Sequence, residues 1–205
     1  MIQADMHMHT SFSTDSEACP RDMADEAVRK ELKTICFTDH FDKDDLEWGE
    51  EGIFDVDAYF VEMQKLQEEY AGKLNIRIGI ELGLRTYLKD YYEELMKKYP
   101  FDFVIGSVHN VPYKKDAEGN ILYTDPAAEK NSAGLKYGLP FAHPHPDVLK
   151  RYRELGGEII TIGADAHKPE HIAYDFAKAE EILKSCGFKY YTEFFEQKPV
   201  FKQLI

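Results

Sequence analysis

The chain has 205 residues, and its content of 43% hydrophobic and 13% aromatic residues is too high for a disordered protein. A formal net charge of −13, from 25 basic and 38 acidic side chains, argues against a general nucleic-acid-binding or anionic-membrane-binding surface. We therefore expect one folded domain, or at most a tight pair, without such partners. Carboxylates gathered around bound cations would count toward this charge without repelling an anionic substrate.

The N-terminus and the cysteines favour a cytoplasmic location. No apolar run approaches the roughly 18 residues that span a bilayer, and the first residues lack the basic and apolar segments of a signal peptide. The three cysteines are too scattered to form a disulfide framework. These features predict a cytoplasmic protein without membrane contact.

Short apolar segments alternate along the chain with longer amphipathic segments. The short segments predict strands at residues 2–9, 34–38, 75–82, 101–108, 158–164 and 188–195. The amphipathic segments predict helices at residues 20–32, 57–70, 87–98, 146–155 and 175–185. This alternation is typical of a parallel α/β sheet or barrel. An irregular segment at residues 110–145 interrupts it, which indicates a functional loop or a loss of elements.

Five predicted strands end in residue types that bind metal ions. The side chains are His7, His9, His40, Glu81, His109, Asp165 and His167. Sites in parallel α/β folds form outside the carboxyl ends of the strands, so we expect these side chains to face one common mouth. Imidazole and carboxylate ligands suit Zn, Mn or Fe, and seven of them exceed the needs of one ion. The sequence therefore predicts two or three divalent ions.

Each of these motifs also has a structural interpretation when it is taken alone. His7 and His9 fit a partly exposed or hydrogen-bonded pair, Glu81 fits a helix cap or ion pair, and residues 38–40 fit a turn closed by an aspartate. The coincidence of five such strand ends favours metal binding instead. Because multi-metal clusters promote phosphoryl displacement, the residues predict a metal-dependent phosphoesterase.

The ligand-type residues lie in five ordered motifs, at residues 5–13, 37–40, 79–81, 106–109 and 157–167. Together the motifs resemble the polymerase-and-histidinol-phosphatase (PHP) superfamily, and within it the histidinol-phosphatase branch. The resemblance covers about residues 1–112 and 129–200. It implies a distorted (β/α)7-type barrel with a trinuclear metal site, and a single phosphoesterase domain over residues 1–205.

The resemblance also implies how the ligands are shared among the ions. The three sets are His7, His9, Glu81 and Asp165; Glu81 and His109; and Asp15, His40 and His167. Asp15 enters only through the resemblance, because its position alone suggests a solvated loop residue. The implied reaction is in-line attack of activated water on a phosphate monoester, with Asp165 or His167 as candidate proton carriers. The implied substrate is L-histidinol phosphate, a small molecule of histidine biosynthesis.

One ligand-bearing segment of the family pattern is absent. Family members carry a further strand ending in Gly-His-x-Asp, and nothing of that kind follows His109. We therefore expect a barrel shortened by about one strand–helix unit, with a second metal site that lacks its usual third ligand. His143 and His145 follow the gap, but the prolines beside them argue against a central strand, so we favour loop histidines over replacement ligands.

Three basic side chains are candidates to bind the phosphate. Arg85 and Lys114 follow ligand positions closely, although both also fit solvated surface charges. Lys136 stands where the family's next strand normally ends in arginine, and a lysine cannot make the same planar contact with two oxygens. Two alternatives stay open: a phosphoesterase with another small substrate, and a metal-binding pseudoenzyme with an incomplete second site. The sequence does not indicate an oligomeric state.

Overall fold

The computed structural model describes residues 1–45, 49–109, 111–115, 121–124, 138 and 141–204. Within them the helices are α1 (Pro20–Arg29), α2 (Val56–Glu69), α3 (Lys89–Lys98), α4 (Pro146–Glu154) and α5 (Phe176–Ser185). The strands are β1 (Ala4–Met8), β2 (Thr34–Phe37), β3 (His40–Phe41), β4 (Asn75–Gly83), β5 (Phe103–Ser107), β6 (Val111–Lys115), β7 (Ile121–Thr124), β8 (Tyr190–Phe195) and β9 (Lys198–Gln203). None of the described helices is long and apolar enough to cross a membrane.

A parallel sheet holds the chain together. β1 pairs with β2, β2 pairs with β4, and β4 pairs with β5. The short β3 continues β2 along the same edge of β4, because Thr34 pairs with Asn75 and His40 pairs with Glu81 in one register. The predicted parallel α/β architecture is therefore confirmed, as a curled sheet that forms half of a barrel.

The predicted strand at residues 158–164 is wrong as a regular strand. The segment does run beside β1, where Met6 N donates to Ile162 O at 2.9 Å and His9 N donates to Ala166 O at 2.8 Å. Between these bonds, however, Ala164 N donates to the Asp5 carboxylate at 3.0 Å instead of to a strand carbonyl. The side chain of Asp5 thus interrupts the ladder and still keeps the segment against β1.

Gly163 allows this close approach. A Cβ at position 163 would lie only 3.0 Å from His7 N and 3.1 Å from His7 Cα, which is too close to backbone atoms that cannot move aside. Any side chain here would separate the segment from β1. The glycine therefore sets the spacing between His7 on one side of the mouth and Asp165 on the other.

Two antiparallel hairpins lie outside the parallel sheet. β6 and β7 form one hairpin within the segment that was predicted to be irregular, so that prediction is wrong for residues 111–115 and 121–124. The predicted strand at 188–195 is confirmed as β8, but it pairs with β9, which the sequence patterns did not predict. The turn between them places Glu196 and Gln197 at φ values of 49° and 60°, without the glycine or asparagine that usually marks such a turn.

The helices cover the sheet through regularly spaced apolar residues. In α2, Tyr59, Met63 and Leu66 are fully buried and recur at the helical period. Its N-cap is Asp55, whose carboxylate accepts from Asp57 N at 2.9 Å, so the predicted start at Asp57 is two residues late. The Tyr59 hydroxyl donates to Gly79 O at 3.1 Å, which fixes α2 against β4.

We expect Asp5→Asn to destabilise the fold. The buried Asp5 carboxylate accepts from His7 N and Ala164 N through one oxygen and from Ala173 N through the other. Burial raises its pKa to about 6, so at pH 8 it is ionised and only accepts hydrogen bonds. An asparagine places an NH₂ group against one of these donors, which costs about 1–3 kcal/mol.

Urea unfolding at pH 8 measures this change in the free energy of unfolding. The matched control is Asp22→Asn, an exposed aspartate in the first turn of α1, which should change the free energy of unfolding by no more than about 0.5 kcal/mol. Equal stabilities of Asp5→Asn and the unsubstituted chain would contradict this account of the ladder.

Candidate metal centre

The structure brings all eight sequence-predicted metal ligands together at the carboxyl ends of the strands. The residues are His7, His9, Asp15, His40, Glu81, His109, Asp165 and His167. His9 is fully buried, and the other rings line the wall of the mouth. The convergence follows from the parallel sheet, because every side chain except that of the loop residue Asp15 lies near the carboxyl end of its strand or of the segment beside β1.

Glu81 occupies the middle of this cluster. Its side chain, 6% exposed, places Oε2 3.2 Å from His40 Nδ1, 3.5 Å from His9 Nε2 and 3.6 Å from His7 Nε2. The other oxygen, Oε1, lies 3.3 Å from His109 Nε2 and accepts a hydrogen bond from Ser107 Oγ. Oε2 is buried and makes no hydrogen bond within the described part of the chain. One carboxylate thus faces four imidazoles.

Two further carboxylates flank the rings. Asp165 Oδ1 lies 3.2 Å from His9 Nε2 and 3.5 Å from His7 Nε2. On the solvent side, Asp15 Oδ2 lies 2.9 Å from His167 Nε2 and 3.6 Å from His40 Nε2. The loop residue Asp15, which only the family resemblance indicated, is therefore close enough to join the cluster.

Hydroxyl and carbonyl oxygens fix the orientation of three histidines. Ser13 Oγ donates its one proton to Asp39 at 2.8 Å, so it accepts from His9 Nδ1 at 3.1 Å. Thr38 Oγ1 donates to Met8 O and accepts from His7 Nδ1 at 2.8 Å. The carbonyl of Asp165 accepts from His167 Nδ1 at 3.1 Å. Each ring therefore keeps its Nδ1 proton and leaves Nε2 as the nitrogen free to bind a cation.

The carboxylates of the cluster are ionised. Burial raises the pKa of Glu81, but the neighbouring His7, His109 and His40 rings hold it below its usual range. Asp165 behaves in the same way, since contacts with His9 and His7 outweigh the effect of burial on its pKa. The negative charge of these groups favours cations at the mouth.

The histidines respond to the same carboxylates. Burial, together with the neighbouring His40, lowers the pKa of His9 to about 3, so this ring is neutral. Burial also disfavours charge on His40, yet Asp15 and Glu81 raise its pKa to about 9. His109 likewise has a pKa raised to about 10 by its carboxylate neighbours despite its burial. A cation that binds these two rings has to displace protons from them.

The donor set fits divalent metal ions. Three groups of side chains bring their ligand atoms within 4.8 Å of one another: His7, His9 and Asp165; His9, His40 and His167; and His40, Asp42 and His109. Four ligand-type atoms of the cluster are buried without a hydrogen bond among the described residues: His9 Nε2, His40 Nδ1, Glu81 Oε2 and His167 Nε2. Buried polar atoms of this kind are costly unless a ligand satisfies them, and mixed imidazole and carboxylate donors suit Zn, Mn or Fe.

Sequence reasoning missed the supporting residues. Asp42 contacts His109, Ser13 and Thr38 orient the rings, and the buried Asp39 accepts from Thr10 N, Thr10 Oγ1 and Ser13 Oγ through one oxygen. A signal for Asp42 does exist in the sequence. Asp42 follows His40 at i+2, the spacing that places two side chains on the same face of a strand. The sequence holds no comparable signal for Ser13, because its role depends on the turn that brings it back beneath His9.

The predicted phosphate-binding residues are less clearly placed. Arg85 Nη2 lies 3.8 Å from Asp45 Oδ2, and both side chains are largely buried. Lys114 is in β6 opposite Leu122, but its side chain is outside the described part of the structure, and Lys136 lies outside the described residues altogether. Their contact with phosphate stays a prediction.

His143 and His145 do not join the cluster. Both are exposed, and neither belongs to any described group of possible metal ligands. His145 is the N-cap of α4, where its Nδ1 accepts from Asp147 N at 3.2 Å. The geometry supports the interpretation of these residues as loop histidines.

We expect Ser13→Ala to weaken zinc binding. The change removes the acceptor of the His9 Nδ1 proton, and loss of such a supporting contact typically costs about 10–100-fold in metal affinity. Zinc titration of the metal-free folded protein measures the effect. Ser185→Ala, which removes an exposed hydroxyl at the end of α5, is the control and should bind zinc normally. Unchanged affinity in Ser13→Ala would refute the orienting role of this hydroxyl.

Two histidinol-phosphatase sequences are similar to this chain over most of their length. The chain is 27% identical to the histidinol-phosphatase of Lactococcus lactis subsp. lactis, with 92% of this chain and 93% of the relative covered. It is also 27% identical to a probable histidinol-phosphatase of Thermotoga maritima, with coverage of 91% and 93%. The alignment with the Lactococcus protein is 251 positions long, longer than this 205-residue chain. Because both chains are covered almost end to end, the relative contains internal segments that this chain lacks.

A solved structure and a family model agree with these relatives. The crystal structure of the Lactococcus lactis histidinol phosphate phosphatase, complexed with zinc, L-histidinol and phosphate, matches with a TM-score of 0.79 at 25% identity. The match covers 97% of this chain and 98% of the other. The PHP domain model matches residues 5–197, which span all eight predicted ligands. With this match over most of its length and the ligand-type side chains gathered at one mouth, the chain belongs to the PHP domain family.

Proposed function

We propose that this chain is a metal-dependent phosphatase that hydrolyses L-histidinol phosphate to L-histidinol and phosphate. The observation that carries the proposal is the buried Glu81 carboxylate, which faces four histidine rings at the carboxyl ends of the strands. The Lactococcus relative with L-histidinol, phosphate and zinc supports the choice of substrate class and favours zinc as the metal. We further propose that residues 1–205 act as one domain.

The donor atoms divide into three sets around Glu81. We assign His7, His9, Glu81 and Asp165 to a first ion, Glu81 and His109 to a second, and Asp15, His40 and His167 to a third. Divalent ions, when bound, supply positive charge that stabilises a phosphoryl transfer and lowers the pKa of water. The number of ions, two or three, and the use of Mn or Fe are part of the proposal.

The protein's own groups orient the substrate and carry protons. Asp165 and His167 lie next to each other in the cluster, with Asp165 Oδ1 3.6 Å from His167 Nδ1. We assign to this pair the transfer of a proton to the leaving alkoxide oxygen, which becomes the hydroxyl group of the product alcohol. Arg85, Lys114 and Lys136 are the proposed contacts of the phosphate. Arg85 and Lys114 closely follow Glu81 and His109, and Lys136 stands where the family's next strand normally ends in arginine.

A metal-binding protein without phosphatase activity is the second candidate. It is favoured by the internal segments that the longer Lactococcus relative has and this chain lacks. The second set also has only two of the predicted ligands, Glu81 and His109. A shortage of ligands there would weaken the binding of one ion, and the reaction would lose the positive charge that this ion contributes.

Release of phosphate from L-histidinol phosphate, together with elemental analysis of the same sample, tests the proposal. We expect turnover by the zinc- or manganese-loaded chain and its loss on treatment with a chelator. Glu81→Gln removes the charge shared by the ligand sets, so its turnover should fall at least about 100-fold, since metal-ion stabilisation is worth several kcal/mol. The control is Glu94→Gln, an exposed glutamate on α3.

The outcomes separate the two candidates. Metal binding without phosphate release from any monoester, in a folded sample, would overturn the phosphatase proposal and support the second candidate. Release of phosphate from other small monoesters but not from L-histidinol phosphate would support the proposed phosphatase reaction and refute the proposed substrate.

A further inference from the structure

Asp42 lies directly after β3 with its carboxylate turned towards the metal centre. Its side chain is 13% exposed, and its two oxygens lie 2.9 Å and 3.0 Å from His109 Nδ1. Its amide donates to Gly52 O at 2.6 Å, which fixes the backbone at this point. None of the family motifs described above includes this residue.

The surrounding backbone leaves room for this carboxylate. A Cβ on Gly83, at the end of β4, would overlap the Asp42 side chain, 2.9 Å from its Cγ. The Tyr92 hydroxyl donates to Gly83 O at 2.8 Å, so the position of the glycine is itself fixed from α3. β3, β4 and α3 together therefore fix the position of Asp42. A solvated loop aspartate would have no such constraints.

The contact with Asp42 determines which way the His109 ring faces. Nδ1 points at the Asp42 carboxylate, and the opposite nitrogen, Nε2, points at Glu81 Oε1 at 3.3 Å. A carboxylate that accepts the proton of one ring nitrogen fixes the ring and increases the basicity of the other nitrogen. His109 is therefore held with Nε2, the nitrogen that a cation would bind once its proton is displaced, towards the buried carboxylate.

We propose that Asp42 is a positioning residue that holds His109 Nε2 towards Glu81 and so preserves the second metal subsite. The inference rests on the proposed metal-dependent function. It applies particularly to this chain, because the second set has only Glu81 and His109 among its predicted ligands. A subsite with few ligands loses more affinity when one of them can rotate away.

Direct binding of an ion by Asp42 is the competing arrangement. His40, Asp42 and His109 do form a group with ligand atoms within 4.8 Å of one another. However, Asp42 Oδ2 is 3.9 Å from His40 Nδ1, whereas both of its oxygens approach the His109 ring to within about 3 Å. The short contacts to one nitrogen favour a hydrogen-bonded pair over a shared ion.

Zinc titration of the metal-free full chain, with calorimetry and elemental analysis, tests this inference. In Asp42→Ala we expect one zinc equivalent to bind about 10–100-fold more weakly, while the remaining zinc binds normally. Asp42→Asn keeps an oxygen that accepts the His109 proton, so it should lose less affinity than Asp42→Ala. Asp22→Asn on α1 is the matched surface control and should titrate like the unsubstituted chain.

Nitrogen NMR of the zinc-loaded protein separates positioning from direct binding. With the His109 signals identified by their loss in His109→Gln, we expect a proton on Nδ1 and zinc on Nε2. Zinc on Nδ1, or zinc binding in Asp42→Ala equal to that of the unsubstituted chain, would overturn the inference. An unsubstituted chain that binds neither zinc, manganese nor iron would instead overturn the proposed function, so the two failures are distinguishable.

Discussion

A buried negative charge with too few hydrogen bonds is the constraint on which the rest of this structure depends. Glu81 is carried into the interior by β4, and one of its oxygens meets only histidine rings. A buried carboxylate is unfavourable unless positive charge compensates it. Protonated rings supply some of that positive charge, but they lose their protons at high pH. Bound cations would keep their charge there. The stability of the fold and the affinity for cations would therefore both depend on the environment of Glu81.

The supporting residues convert this charge cluster into an ordered site. Ser13 and Thr38 accept the Nδ1 protons of His9 and His7, and the Asp39 carboxylate in turn accepts from Ser13. Each ring is thus held from behind by a side-chain hydroxyl of a residue that follows the end of a strand. Rings fixed in this way lose little conformational freedom when they bind an ion, which is how a scaffold of strands and tight turns produces a preorganised site.

The sequence predicted which side chains meet at the mouth better than the elements that carry them. His7, His9, His40, Glu81 and His109 were found because strands alternate their faces and because parallel strands end at one edge. The segment at 158–164 was assigned as a strand from its apolar run, but a hydrogen bond from Ala164 to the Asp5 side chain breaks the ladder. β9 was missed because Glu196 and Gln197 form its turn without a typical turn residue. Such features depend on contacts between residues far apart in the chain, which local patterns do not contain.

The hairpin of β8 and β9 connects the two borders of the half-barrel. At one border Asp102 accepts from Glu196 N at 2.8 Å through its side chain, and Gln197 N donates to Asp102 O at 2.9 Å. At the other, Thr192 N donates to Ile160 O at 2.8 Å. These bonds fix the distance between β5 and the segment beside β1 whatever lies between them in the chain. The free energy of closing a flexible loop grows slowly with its length, by only about 0.6 kcal/mol for each doubling. The stretch between β5 and α4 is therefore a place where family members can differ in length by whole elements, while the ligands on both borders keep their spacing.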